Sequence, residues 1–200
     1  MTPPLPKVPK LEPRFRSFLA ELDRAEGCVA GHSVTVCKTA LSLARSLGVA
    51  QVELPSVALG ALMHDIGKVF VAGGVLSKAQ PLGDAELHMI RLHPLLGEAL
   101  LEPNLSDAMV LGIIRWHHER WDGTGYPDGL SGAQIPLGAR IVGAADAFTA
   151  MRESRAYRRA LSLEEAVDEL RALTHQQFDD DCVEALVGTL EQSELELRVA

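Results

Sequence analysis

Apolar side chains recur at three- and four-residue intervals along almost the whole chain, and this periodicity constrains the fold more than any other feature. Val36, Ala40, Leu43 and Leu47 share one helical face, with Gly48 where a C-terminal cap belongs. Pro55 opens a second segment through Val57, Leu59, Ala61 and Leu62 that carries His64 and Asp65 toward its end. Asp84 stands as the N-cap of a helix running toward Leu92, and Pro94 takes His93 out of helical geometry and begins a short helix ending near Leu101. Asp107 caps a helix through Val110, Ile113 and Ile114 that delivers His117 and His118 at its C-terminal end. Helix resumes from Ala139 to about Met151, Ser162 and Glu165 spell a capping box for a helix through Leu173, and a last helix begins near Asp180. No stretch shows the alternation of a strand. The predicted fold is all-α, a single-domain bundle of about seven helices.

Two stretches break the pattern. Residues 1–13 hold five prolines and read as a flexible leader, which leaves 14–200 as the folded domain. Glu119 to Gly138 holds five glycines and two prolines, too many for a regular element, and reads as a long structured loop of the kind that often carries function.

A formal charge of −8 excludes a general nucleic-acid binder, because sequence-independent affinity for DNA comes from Lys and Arg neutralising phosphates. A small anionic ligand is still admissible if cations are concentrated locally. No apolar run reaches the length of a membrane span and the start of the chain is no signal peptide, so the expected location is the cytoplasm. Cys28, Cys37 and Cys182 form no close pair and read as reduced.

The chemistry lies in the histidines. His32 follows Gly31, His64 precedes Asp65, His93 precedes Pro94, and His117 and His118 are adjacent. Each alone is more often a surface or hydrogen-bonded core residue than a ligand. Together with Asp146, on a stretch made apolar by Ile141, Val142, Ala144, Ala145 and Phe148, they offer the mixed imidazole and carboxylate donors that suit Fe or Mn. A buried Asp also needs a partner. Nothing local shows that His32 and Asp146 meet. His88 and His175 belong to no motif and read as surface residues, and Asp179 to Asp181 read as the acidic start of a helix.

His64-Asp65-Ile66-Gly67-Lys68 resembles the HD motif, and the run from His117-His118-Glu119 to Gly125-Tyr126-Pro127 resembles the signature of the HD-GYP family. The likeness continues through Gly31-His32-Ser33, His93-Pro94-Leu95-Leu96-Gly97, Ile135-Pro136 and Ala145-Asp146-Ala147-Phe148, so it covers residues 25 to 165. The resemblance implies a metal-dependent phosphodiesterase that opens cyclic di-GMP to pGpG, with a further step to GMP left open. It implies two divalent ions, Fe or Mn, one held by His32, His64, Asp65 and Asp146 and the other by His93, His117 and His118, with Asp65 as the bridge. Two cations so close lower the pKa of water and hold a phosphate for in-line attack. By the same resemblance Asp65 and Lys68 are catalytic, and Lys68, Lys78, Arg155 and Arg158 contact substrate. The resemblance also implies that Gly125, Tyr126 and Pro127 support the fold and dock diguanylate cyclase (GGDEF) domains; the oligomeric state, with a homodimer as one option, is left open.

The chain departs from the family at several positions. Cys28 stands where some members carry a Glu for a third metal, which favours two ions here. Val69 to Gly74 replaces an Ile-Pro-Asp turn, while Thr149 and Arg152 replace an Asp and a Thr, so hydrogen bonds behind the metal ligands are expected to differ. Two rivals are a phosphohydrolase for another guanine or cyclic dinucleotide, and a non-catalytic module that binds the dinucleotide or a cyclase.

Overall fold

The computed structural model describes residues 31–76, 78, 80–154 and 159–199. The leader, Cys28, Arg155 and Arg158 lie outside them. Among the described residues there are nine α-helical segments: α1 (His32–Ser46), α2 (Leu54–Met63), the single turn α3 (Gly73–Leu76), α4 (Asp84–Arg91), α5 (His93–Leu101), α6 (Ala108–Trp116), α7 (Leu137–Arg152), α8 (Leu163–Ala172) and α9 (Asp180–Val199). The only β-type pairing among the described residues is an isolated bridge between Thr174 and Phe178. No helix among them is long and apolar enough to cross a membrane.

α1 packs on α2, α7 and α9, while α6 fills the space against α2, α5 and α7. The core is formed by Val36, Ala40 and Leu43 of α1, Val57 and Ala61 of α2, Ile113 and Ile114 of α6, Ile141 and Ala145 of α7, and Leu186 of α9. Burying a side chain such as Leu43 contributes about 1.5–3 kcal/mol. α7 is buried on most of its circumference, which explains why Asp146 stands in an apolar helix: its carboxylate turns into a polar centre enclosed by the bundle.

Several helix ends differ from the sequence expectation. His93 is the first residue of α5, not an extended joint, and Leu92 alone separates α4 from α5. Proline is tolerated in a first helical turn because its missing N–H would have no intrahelical partner there. Gly83, not Asp84, is the N-cap of α4, and the Glu86 carboxylate accepts from the Gly83 N–H at 2.8 Å. α7 starts at Leu137, directly after Pro136. The Asp107 carboxylate does cap α6, accepting from Met109 and Val110 N–H, and Ser162 with Glu165 forms the expected reciprocal box. His88 and His175 are exposed. Asp179 is buried, accepting from Arg140 and from the Asp181 N–H at the start of α9.

Candidate metal centre

Three helices end at the same place. His64 follows α2, His93 follows the last turn of α4, and His117 follows α6. In each case imidazole Nδ1 donates to the carbonyl three residues earlier: His64 to Ala61 O at 2.8 Å, His93 to Ile90 O at 2.7 Å and His117 to Ile114 O at 2.9 Å. The last turn of a helix leaves carbonyls without an intrahelical donor. Here those carbonyls fix the tautomer and the ring orientation, so each Nε2 presents its lone pair to the interior, as metal-ligating histidines require.

Asp65 sits where these rings converge. Its Oδ1 is 3.1 Å from His93 Nε2 and 3.8 Å from His117 Nε2, and its Oδ2 is 3.2 Å from His64 Nε2 and 2.6 Å from Lys68 Nζ. His32, at the start of α1, brings Nε2 to 3.1 Å from Asp146 Oδ1, which is 3.8 Å from His64 Nε2. His118 completes the far side, its ring 4.1 Å from that of His117. Two groups of donors therefore share Asp65: Asp65, His93, His117 and His118, and His32, His64 and Asp65, each with its donor atoms within 4.8 Å of one another.

The donor set fits divalent cations. His64 Nε2 and Asp65 Oδ1 are buried and, despite their close neighbours, have no well-aligned hydrogen-bond partner. His93 Nε2 and His117 Nε2 face each other at 3.3 Å although both rings already donate through Nδ1. Lone pairs aimed at one another and an orphaned buried carboxylate oxygen are costly alone and favourable around a cation.

The charges divide along the same line. Burial works against protonation of His64, but Asp65 and Asp146 override it and raise its pKa to about 9. His32 is also raised, its burial outweighed by Asp146. On the other side, burial and then His93 push His118 down to about 3, and burial with the neighbouring imidazoles holds His117 well below the ordinary histidine range. Burial opposes ionisation of Asp65, yet Lys68 and His64 keep its carboxyl well below the usual range; burial likewise opposes Asp146, which His32 and His64 keep ionised.

The Gly-rich loop forms one wall. The buried Glu119 carboxylate accepts from the backbone N–H of Asp128, Gly129 and Leu130 at 2.7, 3.1 and 3.0 Å. Asp128 is held by Arg115 and by Trp116 Nε1. Gly125 passes so close to the preceding turn that a Cβ there would lie 2.3 Å from Arg120 N. The loop lays the Tyr126 ring on His118, centroids 4.9 Å apart, and the Arg91 guanidinium sits 5.6 Å from the Tyr126 ring centre. A cavity of about 380 Å³ runs from His117, His118 and Asp146 past Tyr126 and Arg91 toward Arg120 and Arg140.

All seven residues anticipated as metal ligands thus meet around one centre, with Lys68 on its rim, in a 3₁₀ turn over Ile66–Phe70. Lys78 is held by Glu86 at 2.7 and 2.8 Å. Thr149 is buried and donates to Ala145 O, and Arg152 donates to Leu161 O, so neither contacts a ligand histidine. Sequence reasoning missed Glu119, Arg91 and Glu153, whose carboxylate meets His32 Nδ1 at 3.0 and 3.1 Å. Glu119 lies inside the His117-to-Pro127 signature and Glu153 seven residues after Asp146, but a carboxylate in such a place is too common for its partner to be read from sequence.

Comparison with known proteins gives this centre a family. The HD domain model matches residues 17–182, most of the chain. The chain belongs to the HD domain family. It is 35% identical over 189 residues to the cyclic di-GMP phosphodiesterase response regulator RpfG of Xanthomonas campestris pv. campestris, covering 92% of this chain and 50% of that one. It is 35% identical to a cyclic di-GMP phosphodiesterase of Thermotoga maritima (72% and 40% covered) and 34% identical to the 3'3'-cGAMP-specific phosphodiesterase 3 of Vibrio cholerae (90% and 39%). The chain therefore spans half or less of these relatives' length. Among solved structures, Bd1817, an HDG"Y"P protein from Bdellovibrio bacteriovorus, superposes with a TM-score of 0.66 at 24% identity, covering 80% of this chain and 51% of that one. The PgpH HD domain of L. monocytogenes gives 0.62 at 15% identity, covering 90% and 98%. These two likenesses show the fold, an HD-domain helical bundle; in this chain His117, His118 and Asp146 line one cavity together with Gly125 and Tyr126 of the loop.

Proposed function

We propose that the chain is a metal-dependent phosphodiesterase that opens cyclic di-GMP to pGpG, using two divalent cations, Fe or Mn. The observation that carries this reading is the sharing of Asp65 between two groups of imidazole donors, which suits a carboxylate bridge. In this reading His32, His64, Asp65 and Asp146 hold one cation, and Asp65, His93, His117 and His118 hold the other. Bound there, the cations supply an acidified water and neutralise the phosphate. Hydrolysis consumes one water, breaks the phosphorus–O3′ bond and leaves a 5′-phosphate on the linear product.

The protein's own groups position the substrate. Lys68 keeps a positive charge beside Asp65 and within reach of a phosphate oxygen entering the centre, where charge grows in the transition state. Arg91, exposed on the cavity rim, takes the second phosphate of the dinucleotide, with Lys78, Arg155 and Arg158 as further substrate contacts. Tyr126 braces His118, and the Gly125–Pro127 turn around it serves as the docking element for GGDEF domains.

A second reading is hydrolysis of 3′,3′-cGAMP, favoured by the Vibrio cholerae relative specific for that substrate. The test is anaerobic purification, loading with Fe(II) or Mn(II), and chromatography of cyclic di-GMP and 3′,3′-cGAMP digests with Asp65→Asn as control. Appearance of pGpG from the wild type alone supports the proposal. Turnover of 3′,3′-cGAMP alone moves the assignment to that substrate, and tight binding without turnover makes the chain a binding module.

A further inference from the structure

The four buried histidines that line the centre are not anchored alike. His64, His93 and His117 donate Nδ1 to backbone carbonyls of the helix before them. His32 stands at the first position of α1, and its Nδ1 is not held by a backbone carbonyl of the described residues. Its Nδ1 instead meets both oxygens of Glu153, at 3.1 and 3.0 Å, while its Nε2 faces Asp146 at 3.1 Å. Asp146 lies within α7 and Glu153 is the extended residue that follows its last turn, and the imidazole lies between the two carboxylates.

Glu153 is well placed to hold that geometry. α7 ends at Arg152, and its end is tied on both sides to Leu161: Met151 O accepts from Leu161 N at 2.9 Å, and Arg152 Nη1 donates to Leu161 O at 2.6 Å. Glu153 is thereby fixed at the point where the chain leaves the helix. Thr149, within α7 between Asp146 and Glu153 in sequence, spends its hydroxyl on Ala145 O and supplies no carboxylate.

We infer that Glu153 is a positioning residue of the metal centre: its carboxylate holds the His32 ring with the proton on Nδ1 and the Nε2 lone pair directed at the cation shared with His64, Asp65 and Asp146. This rests on the two-cation reading above. A carboxylate behind a ligand histidine also increases the basicity of the coordinating nitrogen, and removing such a partner typically weakens metal affinity about 10- to 100-fold.

The test is titration of the metal-free full chain with Mn(II), following unbound Mn(II) by electron paramagnetic resonance, for the wild type, Glu153→Ala, Glu153→Gln and Glu153→Asp. The expected result is two sites in the wild type and one of them weakened about 10- to 100-fold in Glu153→Ala, with the other unchanged. Partial recovery is expected in Glu153→Gln, which keeps an acceptor and loses the charge, and an unaltered melting transition throughout. Wild-type affinities at both sites in Glu153→Ala overturn the role of Glu153. Loss of both sites together with the melting transition also overturns it, in favour of a structural role. A wild type that takes up fewer than two Mn(II) overturns the two-cation reading beneath it.

Discussion

Replacing Glu119 by Gln removes one acceptor from a buried site at almost constant volume, which isolates the electrostatic contribution of this side chain to the loop. In the wild type both carboxylate oxygens accept from backbone N–H groups, Oε1 from Asp128 and Gly129 and Oε2 from Leu130. A glutamine can satisfy the first pair with its carbonyl oxygen, but its amide then opposes the Leu130 N–H donor to donor; flipping the amide strands the other two. The change also converts two charge-assisted bonds, worth about 1.5–3 kcal/mol each, into neutral ones worth about half as much. With one N–H left without an acceptor, at about 1–3 kcal/mol more, the expected loss is about 2.5–6 kcal/mol. In a domain of this size that corresponds to a drop in Tm of about 5–24 °C. Thermal melts by circular dichroism on the metal-free protein read it directly, and Asp122→Asn, on the exposed part of the same loop, serves as the mild comparison. A Glu119→Gln protein that melts within about 1 °C of wild type, less than the smallest of these bonds would produce, refutes the reasoning.

Gly67→Ala would place a Cβ 2.0 Å from His93 O and 2.6 Å from Gly97 N; the 3₁₀ turn and α5 must separate, and we expect a loss of about 1–3 kcal/mol in chemical denaturation together with weaker Mn(II) binding, because Asp65 and His93 are carried apart. In the metal-free protein the raised pKa of His64, about 9 against an ordinary 6.5, contributes stability that is full below pH 6.5 and is lost as pH rises toward 9. The metal-free Tm should therefore fall across that window while the Mn(II)-loaded Tm does not, since an imidazole ligated through Nε2 carries no proton on that nitrogen to release; parallel curves would contradict it. Arg91→Ala should raise KM for cyclic di-GMP about tenfold, the loss of one charge-assisted contact, and leave kcat/KM for bis(p-nitrophenyl) phosphate, which has a single phosphate, unchanged.

The helical periodicity and the caps at Asp107 and Ser162 located most helices to within two residues, because an amphipathic face and a side-chain acceptor are local properties. The metal ligands were legible for a different reason. A histidine beside another donor or a turn former is an uncommon pattern when repeated, and it recurs at His32, His64, His93 and the pair His117 and His118. What could not be read were the contacts made across the fold. Glu153 reaches His32 over most of the chain, and Glu119 bonds three N–H groups whose positions depend on how the loop folds back. His93 was misplaced by treating the proline rule as absolute, although a first-turn proline is compatible with helix at the residue before it.

The charges of the centre bear on what can enter. α2, α4 and α6 end beside it with the negative ends of their dipoles, α1 and α5 begin there at His32 and His93 with positive ends, and Asp65 and Asp146 are two ionised carboxylates. Against them the metal-free centre sets Lys68 and the protons that His64 and His32 hold more tightly than usual. Those protons stand in for cations: each imidazole that accepts a metal must give its proton up, so metal uptake is an exchange of charge more than an addition of it. In the metal-free centre Lys68 and these two protons offset the two carboxylates, so an anionic phosphodiester finds little net attraction there. Under the two-cation proposal, divalent charge replaces monovalent at His32 and His64, which makes the centre attractive to that anion and favours cation before substrate in the order of binding.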